Sequence, residues 1–244
     1  MRMELILVGI LVGFLSGFFG IGGGTILVPI LLYLGFDIKE AVGISVTQMV
    51  FSSLFGSYLN FKKNIFKIHE GLALGIGGFI GALGSGYFLS IVSSRVLEWM
   101  FLGFVLFAMY RFFKAPAIEG GAKEIPPLVI LGVGVVVGLL AISIGVGGSI
   151  LITPILVGFF HMDVKKAASM GLFFVIFSSI SGFLSLSLFG HIDYKDGLLV
   201  GVSSLFGVYF GIKLAHMTHH AKFKKALIVI YSIILLLVVK KIFF

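Results

Sequence analysis

The stretch Gly17-Phe-Phe-Gly-Ile-Gly-Gly-Gly-Thr-Ile-Leu-Val-Pro29 places a cluster of glycines and a proline inside the apolar segment 5–34. As one uninterrupted helix this segment would be about 45 Å long, which exceeds the roughly 30 Å hydrocarbon core of a bilayer. Glycine tolerates unusual backbone angles and proline lacks an N–H donor, so a break is predicted at Gly22–Gly24 and Pro29. Two geometries are compatible with such a break: a long tilted helix with a kink, or a re-entrant pair of half-helices.

The same pattern returns later in the chain. Residues Gly145-Val-Gly-Gly-Ser-Ile-Leu-Ile-Thr-Pro154 repeat the first cluster 125 positions on, and beyond the prolines the offset becomes 126. The second offset aligns Phe51-Ser-Ser53 with Phe177-Ser-Ser179. Matching positions extend over nearly the whole chain, which predicts two homologous halves. We place the first membrane repeat at 1–112, a polar cytoplasmic linker at 113–127 and the second membrane repeat at 128–244.

Composition excludes a soluble globular protein. The chain is 59% hydrophobic and only 11% charged, so it has too few polar residues to cover a water-facing surface. The net charge of +8 could suggest a nucleic-acid partner. The lysines and arginines lie between apolar segments, however, where they orient a membrane protein in the lipid bilayer, and no nucleic-acid partner is predicted. The absence of cysteine excludes disulfides and thiolate metal sites.

The predicted fold class is an all-α integral membrane protein. Each half is expected to contain one broken segment, 5–34 or 128–160, followed by three transmembrane helices. The predicted spans are 41–59, 71–92 and 96–110 in the first half, and 167–189, 197–212 and 226–239 in the second half.

The distribution of lysine and arginine favours inverted halves over parallel halves. If the broken segments are re-entrant, one side of the membrane collects 12 of the 18 basic residues; if they span, the split is 10 to 8. Cytoplasmic loops are enriched in basic residues, so the more uneven arrangement is the better one. This arrangement places both termini outside and the central linker in the cytoplasm.

The predicted binding site combines uncharged donors at the two breaks. No ionisable residue lies deep inside a predicted span, whereas carriers of metal cations or protons usually keep one there. A half-helix that begins at a glycine presents free N–H groups and the positive end of its dipole, which suit an anion. The carbonyl ends of the same breaks could instead coordinate Na⁺. The predicted substrate-binding residues are Gly22, Gly23, Gly24, Thr25, Gln48, Ser52, Gly147, Gly148, Ser149 and Ser178.

Each of these residues also has a structural interpretation. Glycines in membrane helices often allow close helix packing, hydroxyls often bond back to their own helix, and Gln48 could link two helices. No metal site, cofactor or catalytic residue is predicted. The histidines at 216, 219 and 220 have no nearby carboxylate or cysteine in the sequence, so they are interpreted as a solvated loop.

The first glycine cluster, its shorter copy at 145–156 and the following Ala41-Val-Gly-Ile-Ser45 resemble the sulfite exporter TauE/SafE family of membrane permeases. The resemblance extends over essentially the whole chain, although Ser149 stands where the first copy has Gly24. It implies transport of a small sulfur-containing anion, such as sulfite, sulfoacetate or a related organosulfonate, across the cytoplasmic membrane of a prokaryote.

Our functional prediction is a permease, not an enzyme, that exports such an anion by alternating access at the paired breaks. The alternatives are a passive anion channel and an uptake permease for another small organic anion; a membrane-embedded enzyme or assembly factor lacks any supporting motif. Assembly into a homo-oligomer is left open.

Overall fold

The structure is a computed structural model that describes residues 2–62, 68–114 and 126–243. These residues form helices and connecting turns, with no strand among them. The helices are α1 (Arg2–Phe19), α2 (Gly24–Tyr33), α3 (Ile38–Lys62), α4 (Ile68–Ala82), α5 (Ser85–Ile91), α6 (Ser94–Lys114), α7 (Pro127–Ser143), α8 (Ser149–Phe160), α9 (Val164–Leu188), α10 (Tyr194–Met217) and α11 (His220–Phe243). Most of the predicted linker, 115–125, lies outside the described residues.

The two predicted breaks are present. The first break, Gly20–Gly23, separates α1 from α2, and the second break, Ile144–Gly148, separates α7 from α8. Three glycines in each break have positive φ angles, which only glycine adopts without strain. The angles are 69°, 74° and 81° at Gly20, Gly22 and Gly23, and 74°, 74° and 92° at Gly145, Gly147 and Gly148. The same backbone path therefore occurs twice, 125 residues apart.

The prolines do not contribute to the breaks, contrary to the prediction for Pro29. Pro29 and Pro154 each lie inside a helix, α2 and α8 respectively. A proline at this depth removes one backbone donor and leaves one carbonyl without its usual partner. Membrane helices tolerate that loss when neighbouring groups or helices surround the position, and both prolines are buried.

The predicted span 71–92 is present as the apolar stretch Gly71–Ile91, but its helix is interrupted at Leu83–Gly84, which separates α4 from α5. The amide of Gly84 bonds to the carbonyl of Gly81, three residues back, at 3.1 Å. The hydroxyl of Ser85 donates to the carbonyl of Ala82 at 2.6 Å. Such i→i−3 bonds tighten a turn and end the regular α-helical pattern.

Four stretches of the described residues are long and apolar enough to cross a membrane. They are Ile38–Lys62, Gly71–Ile91, Val164–Leu188 and Tyr194–Met217. The last helix of each half, α6 or α11, is not in this set, so the third span of each half stays a prediction. Together with the many exposed large apolar side chains, these helices are those of an integral membrane protein.

Helices exchange partners between the two halves. Helix α1 packs on α10, and its counterpart α7 packs on α4. Gly9 lies beside Ser203 and Gly17 lies beside Val208, so α1 and α10 run in the same direction. These contacts reach the backbone itself, because a Cβ on Gly17 would lie 2.5 Å from the carbonyl oxygen of Val208.

The equivalent pair α4 and α7 is arranged in the same way. Gly134 lies against Leu74, and Gly81 lies against Val135, so α4 and α7 are also parallel. Small residues allow such close approach in membranes, where there is little hydrophobic force between helices. These glycines therefore allow close helix packing, which is the structural interpretation of glycines in membrane helices.

The two long central helices, α3 and α9, run in opposite directions. Gly43 near the start of α3 lies against His191, just beyond the end of α9, whereas Gly56 contacts Leu172 near the start of α9. Helix α3 is parallel to α10, since Thr47 meets Gly197 and Phe51 meets Gly201. The two breaks pack against this central pair.

Candidate functional site

The two breaks meet at the centre of the molecule. The hydroxyl of Ser45 on α3 donates to the carbonyl oxygen of Gly145 in the second break at 3.0 Å. A Cβ on Gly24, the first residue after the first break, would lie 2.0 Å from that same oxygen. The contact is therefore backbone against backbone, and both sides of it are buried. The predicted approach of the two breaks is thus present in the fold.

The start of α2 is uncapped and has one polar side chain above it. Its N-cap residue, Gly23, provides no side-chain hydrogen bond, so the first amides of the helix lack an intrahelical acceptor. A Cβ on Gly23 would lie 2.4 Å from Oε1 and 2.9 Å from Nε2 of Gln48. The glycine thus makes room for this amide, which is fully buried.

Gln48 and the nearby hydroxyls lack hydrogen-bond partners. Within the described part of the chain, neither Oε1 nor Nε2 of Gln48 has one, and the same holds for the hydroxyls of Thr25 and Ser149. The Ser149 hydroxyl lies 3.4 Å from the position that a Cβ on Gly22 would occupy, so it belongs with the first break. Burying an unpaired polar group costs about 1–3 kcal/mol. Polar groups of this kind therefore lie at the predicted binding site.

Two carbonyls of the second break accept side-chain hydrogen bonds. The hydroxyl of Ser178 donates to the carbonyl oxygen of Gly147 at 3.0 Å, and the hydroxyl of Ser45 donates to the carbonyl oxygen of Gly145. The ring of Phe174 covers Gly148, since a Cβ on this glycine would lie 2.4 Å from the Cε1 atom of Phe174. Two carbonyls of the second break therefore accept hydroxyl donors and an aromatic ring covers its last glycine, although the start of α8 has no side-chain cap either.

The predicted binding residues divide accordingly. Gly22, Gly23, Gly24, Thr25, Gln48 and Ser149 lie at or beside the first break, and Gly147 faces Met49 and Val175 at the contact between the breaks. Three predicted residues are engaged elsewhere. Ser52 donates to the carbonyl of Met49 at 3.4 Å, Ser178 bonds to Gly147, and Gly148 lies under Phe174. These contacts fit the structural interpretation of the three residues, and their role in binding stays a prediction.

Sequence reasoning missed Ser45 and Phe174. Both could have been found from the offset of 126, which aligns Ser45 with Gly171 and Gln48 with Phe174. The exchange of small residues is reciprocal. Gly24 faces Ser45, whereas Ser149 faces Gly171. Each contacting pair therefore consists of one serine and one glycine.

The site contains no charged side chain. The buried polar side chains within 2–62, 68–114 and 126–243 are serine, threonine, asparagine and glutamine. In the same ranges, no group of three or more His, Asp, Glu or Cys residues could hold a metal ion. Any charge on a ligand would therefore be balanced by amide and hydroxyl dipoles and by the helix start.

Ionisable groups gather at the ends of the helices instead. One hollow is lined by Lys39, Glu40, His191, Asp193, Tyr194 and Lys195, among others. Burial, and secondarily the charge of Lys39, lowers the pKa of His191 below its usual value. This hollow is a mixed-charge surface at the start of α3 and α10, separate from the breaks.

Comparison with known proteins decides the family. The family model of sulfite exporter TauE/SafE matches residues 5–238. The chain belongs to the sulfite exporter TauE/SafE family. It is therefore a membrane transporter, which confirms the resemblance noted from the glycine clusters.

Curated relatives of this TauE/SafE protein are described as probable membrane transporters. The chain is 24% identical to the probable membrane transporter protein YunE of Bacillus subtilis, over 96% of this chain and 94% of the relative. It is 27% identical to MJ0441 of Methanocaldococcus jannaschii, over 86% of this chain and 85% of the relative, and 25% identical to YdhB of Bacillus subtilis. No solved structure matches the chain significantly.

Proposed function

We propose that this transporter moves a small sulfur-containing oxyanion, such as sulfite or an organosulfonate, and holds it at the first break. The observation that carries the proposal is the uncapped start of α2 beside three fully buried polar side chains without partners, Thr25, Gln48 and Ser149. Amide N–H groups and hydroxyls can donate to an anion, and the helix dipole adds favourable potential. The name of the family supports the choice of a sulfur oxyanion.

We infer that the halves are inverted repeats with re-entrant broken segments. Phe19, at the end of α1, contacts Phe223 near the start of α11. Tyr33, at the end of α2, lies under the ammonium of Lys240 near the end of α11. Helix α2 thus returns toward the side from which α1 starts, as in a re-entrant segment.

The packing directions support the inversion itself. Helix α1 is parallel to α10 and α3, whereas α7 is parallel to α4. Helix α4 is in turn parallel to α9, since Gly71 contacts Phe173 and Gly75 contacts Phe177. Because α3 and α9 are antiparallel, α1 and α7 start from opposite faces. The face at which α1 starts is called the Tyr33 face, and it also carries His191 and Lys240. The face at which α7 starts is called the Lys62 face, and it also carries Lys165.

The orientation in the membrane follows from charge. Lys62 belongs to the larger group of basic residues that the inverted arrangement collects on one side of the membrane, so we propose that the Lys62 face is cytoplasmic and that both termini are outside. The proposed repeats keep the predicted bounds 1–112 and 128–244, joined through a cytoplasmic linker.

The proposed direction is export by alternating access. With a negative cytoplasm, outward movement of a monoanion is favoured by about 2.3 kcal/mol per 100 mV, so export needs no coupling ion. The residues of both breaks are buried, so a solute reaches them only if helices move. This supports a carrier over an open channel.

Flux in proteoliposomes tests the proposal. Purified full-length protein is reconstituted, and the exit of labelled sulfite or sulfoacetate is followed with and without a membrane potential. We expect saturable efflux that is accelerated by an inside-negative potential and stimulated by unlabelled anion on the opposite side. Flux that fails to saturate and shows no counterflow would identify a channel instead, and an absolute need for a proton or Na⁺ gradient would contradict uncoupled export.

A further inference from the structure

A second polar cleft lies on the Lys62 face, next to the first break. It is lined by parts of α1, α3, α9, α10 and α11, and the space in it that a water-sized solute can occupy is about 30 Å³. Gly20, the first residue of the first break, forms part of its wall. The cleft therefore extends from the Lys62 face to the beginning of the first break. Its lining residues include Gly17, Gly20, Asn60, Lys165, Ser169 and His216.

Two nearly buried donors in the cleft have no protein partner. Asn60 is 5% exposed and Ser169 is 6% exposed, and neither side chain forms a hydrogen bond with any group in the described part of the chain. Both line the cleft. Leaving such groups unpaired is unfavourable unless water or a ligand bonds to them.

A cation completes the set of donors. Lys165 also lines the cleft, and its ammonium donates to the carbonyl oxygen of Thr218, the C-cap of α10. The carboxylate of Asp163, the N-cap residue of α9, accepts hydrogen bonds from the backbone amides of Lys165 and Lys166. An ammonium, a primary amide and a hydroxyl in one cleft are suited to a small oxyanion.

Two of the equivalent positions in the other half carry apolar side chains. Under the offset of 126, Asn60 corresponds to Leu186, and Ala215 corresponds to Leu89. Both leucines are 0% exposed and belong to the apolar core. The polar lining is therefore not a consequence of the repeated backbone. The equivalent of Asn60 is apolar, whereas Lys39, the equivalent of Lys165, lines the polar hollow on the Tyr33 face.

We propose that this cleft is a second anion-binding site, formed by Asn60, Lys165 and Ser169, in which the transported oxyanion is held before it reaches the first break. The proposal rests on the proposed function, since it takes the solute at the first break to be an anion. It predicts two binding sites per chain, one at the first break and one in the cleft.

Equilibrium binding of labelled sulfite and sulfoacetate to the full-length protein in lipid nanodiscs tests this. We expect two equivalents to bind to the wild-type protein. Asn60→Leu, which installs the residue found at the equivalent position in the second half, removes one equivalent or weakens it at least tenfold. Gln48→Leu removes the other equivalent. Lys39→Gln is the matched control, because Lys39 corresponds to Lys165 but lines the hollow on the Tyr33 face.

A second variant keeps the test independent of folding. Ser169→Gly installs the residue at the equivalent position, Gly43, and is expected to weaken the cleft site about threefold to tenfold. Thermal unfolding of each variant identifies any that fails to fold. One equivalent that Gln48→Leu removes and Asn60→Leu leaves unchanged would overturn the cleft but not the proposed function. One equivalent lost only in Asn60→Leu would overturn the central site instead, and no binding of either anion would overturn both.

Discussion

The two breaks have the same backbone and opposite chemistry. Each contains three glycines with positive φ, and each is followed by a short helix without a side-chain cap. Above Gly23 lies the amide of Gln48, whereas above Gly148 lies the ring of Phe174. The carbonyls of Gly145 and Gly147 accept hydroxyl donors, whereas no described side chain donates to the carbonyls of the first break.

This difference shows how a duplicated scaffold can specialise. The repeated glycines preserve a chain path that interrupts two membrane segments at the same depth of the fold. Substitutions on the facing helices then decide whether a break is closed by protein groups or left with donors for a ligand. We infer that the second break holds the structure and the first break holds the solute.

The largest expected effect comes from adding one methyl group at the contact between the breaks. Gly24→Ala would place a Cβ 2.0 Å from the carbonyl oxygen of Gly145, and backbone cannot yield as a side chain can. We expect a loss of about 3 kcal/mol or more of stability, measured by thermal unfolding in detergent. Ser149→Ala is the matched control, because that position already accommodates a Cβ, and a similar loss there would contradict the contact.

The next largest effect concerns the two groups that cover the glycines. Gln48→Leu removes both amide atoms at nearly constant volume, so we expect anion flux in proteoliposomes to fall about tenfold to a hundredfold. Phe174→Leu should lower stability by about 1 kcal/mol and leave flux within about threefold. Equal losses of flux in the two variants would remove the distinction between a ligand-binding break and a structural break.

A smaller effect separates the two equivalent serines. Ser178→Ala leaves the Gly147 carbonyl without its donor, so we expect a loss of about 1 kcal/mol in unfolding free energy. Ser52→Ala should cost less than about 0.5 kcal/mol, because Ser52 only bonds back to its own helix. The comparison would fail if Ser52→Ala were the more destabilising change in a side-by-side denaturation series.

The smallest effect is expected at Ser149. Ser149→Ala removes one unpaired hydroxyl near Gly22, so we expect anion affinity to weaken about threefold while stability stays unchanged or rises slightly. Equilibrium binding of labelled sulfite measures the first quantity and thermal unfolding the second. A clear loss of stability would show that this hydroxyl has a structural partner.

Much of the architecture could be predicted from the chain alone. The segment 5–34 is too long for one span, its glycines recur 125 residues later, and these facts place both breaks. The helical membrane fold follows from hydropathy. Gln48 could be proposed as a site residue because a polar amide inside an apolar span needs an explanation.

The partners of these residues could not be predicted in the same way. The hydrogen bond from Ser45 to Gly145 joins residues 100 positions apart in the chain. The contact of the Phe174 ring with Gly148 depends on which face of α9 packs against α8. Leu83–Gly84 was not recognised as a helix end, because glycines in membrane helices more often mark packing than interruption. Ser52 and Ser178 carry the same residue type at equivalent positions, yet they bond to different groups.

The sequence by itself determined the membrane setting, the duplication and the position of the two interruptions, because hydropathy, repeat spacing and glycine are local properties of the chain. Only the tertiary structure decided which interruption is closed and which retains unpaired donors. That outcome depends on contacts between helices from different halves, in which side chains far apart in the chain either satisfy a backbone carbonyl or leave a polar group for another partner.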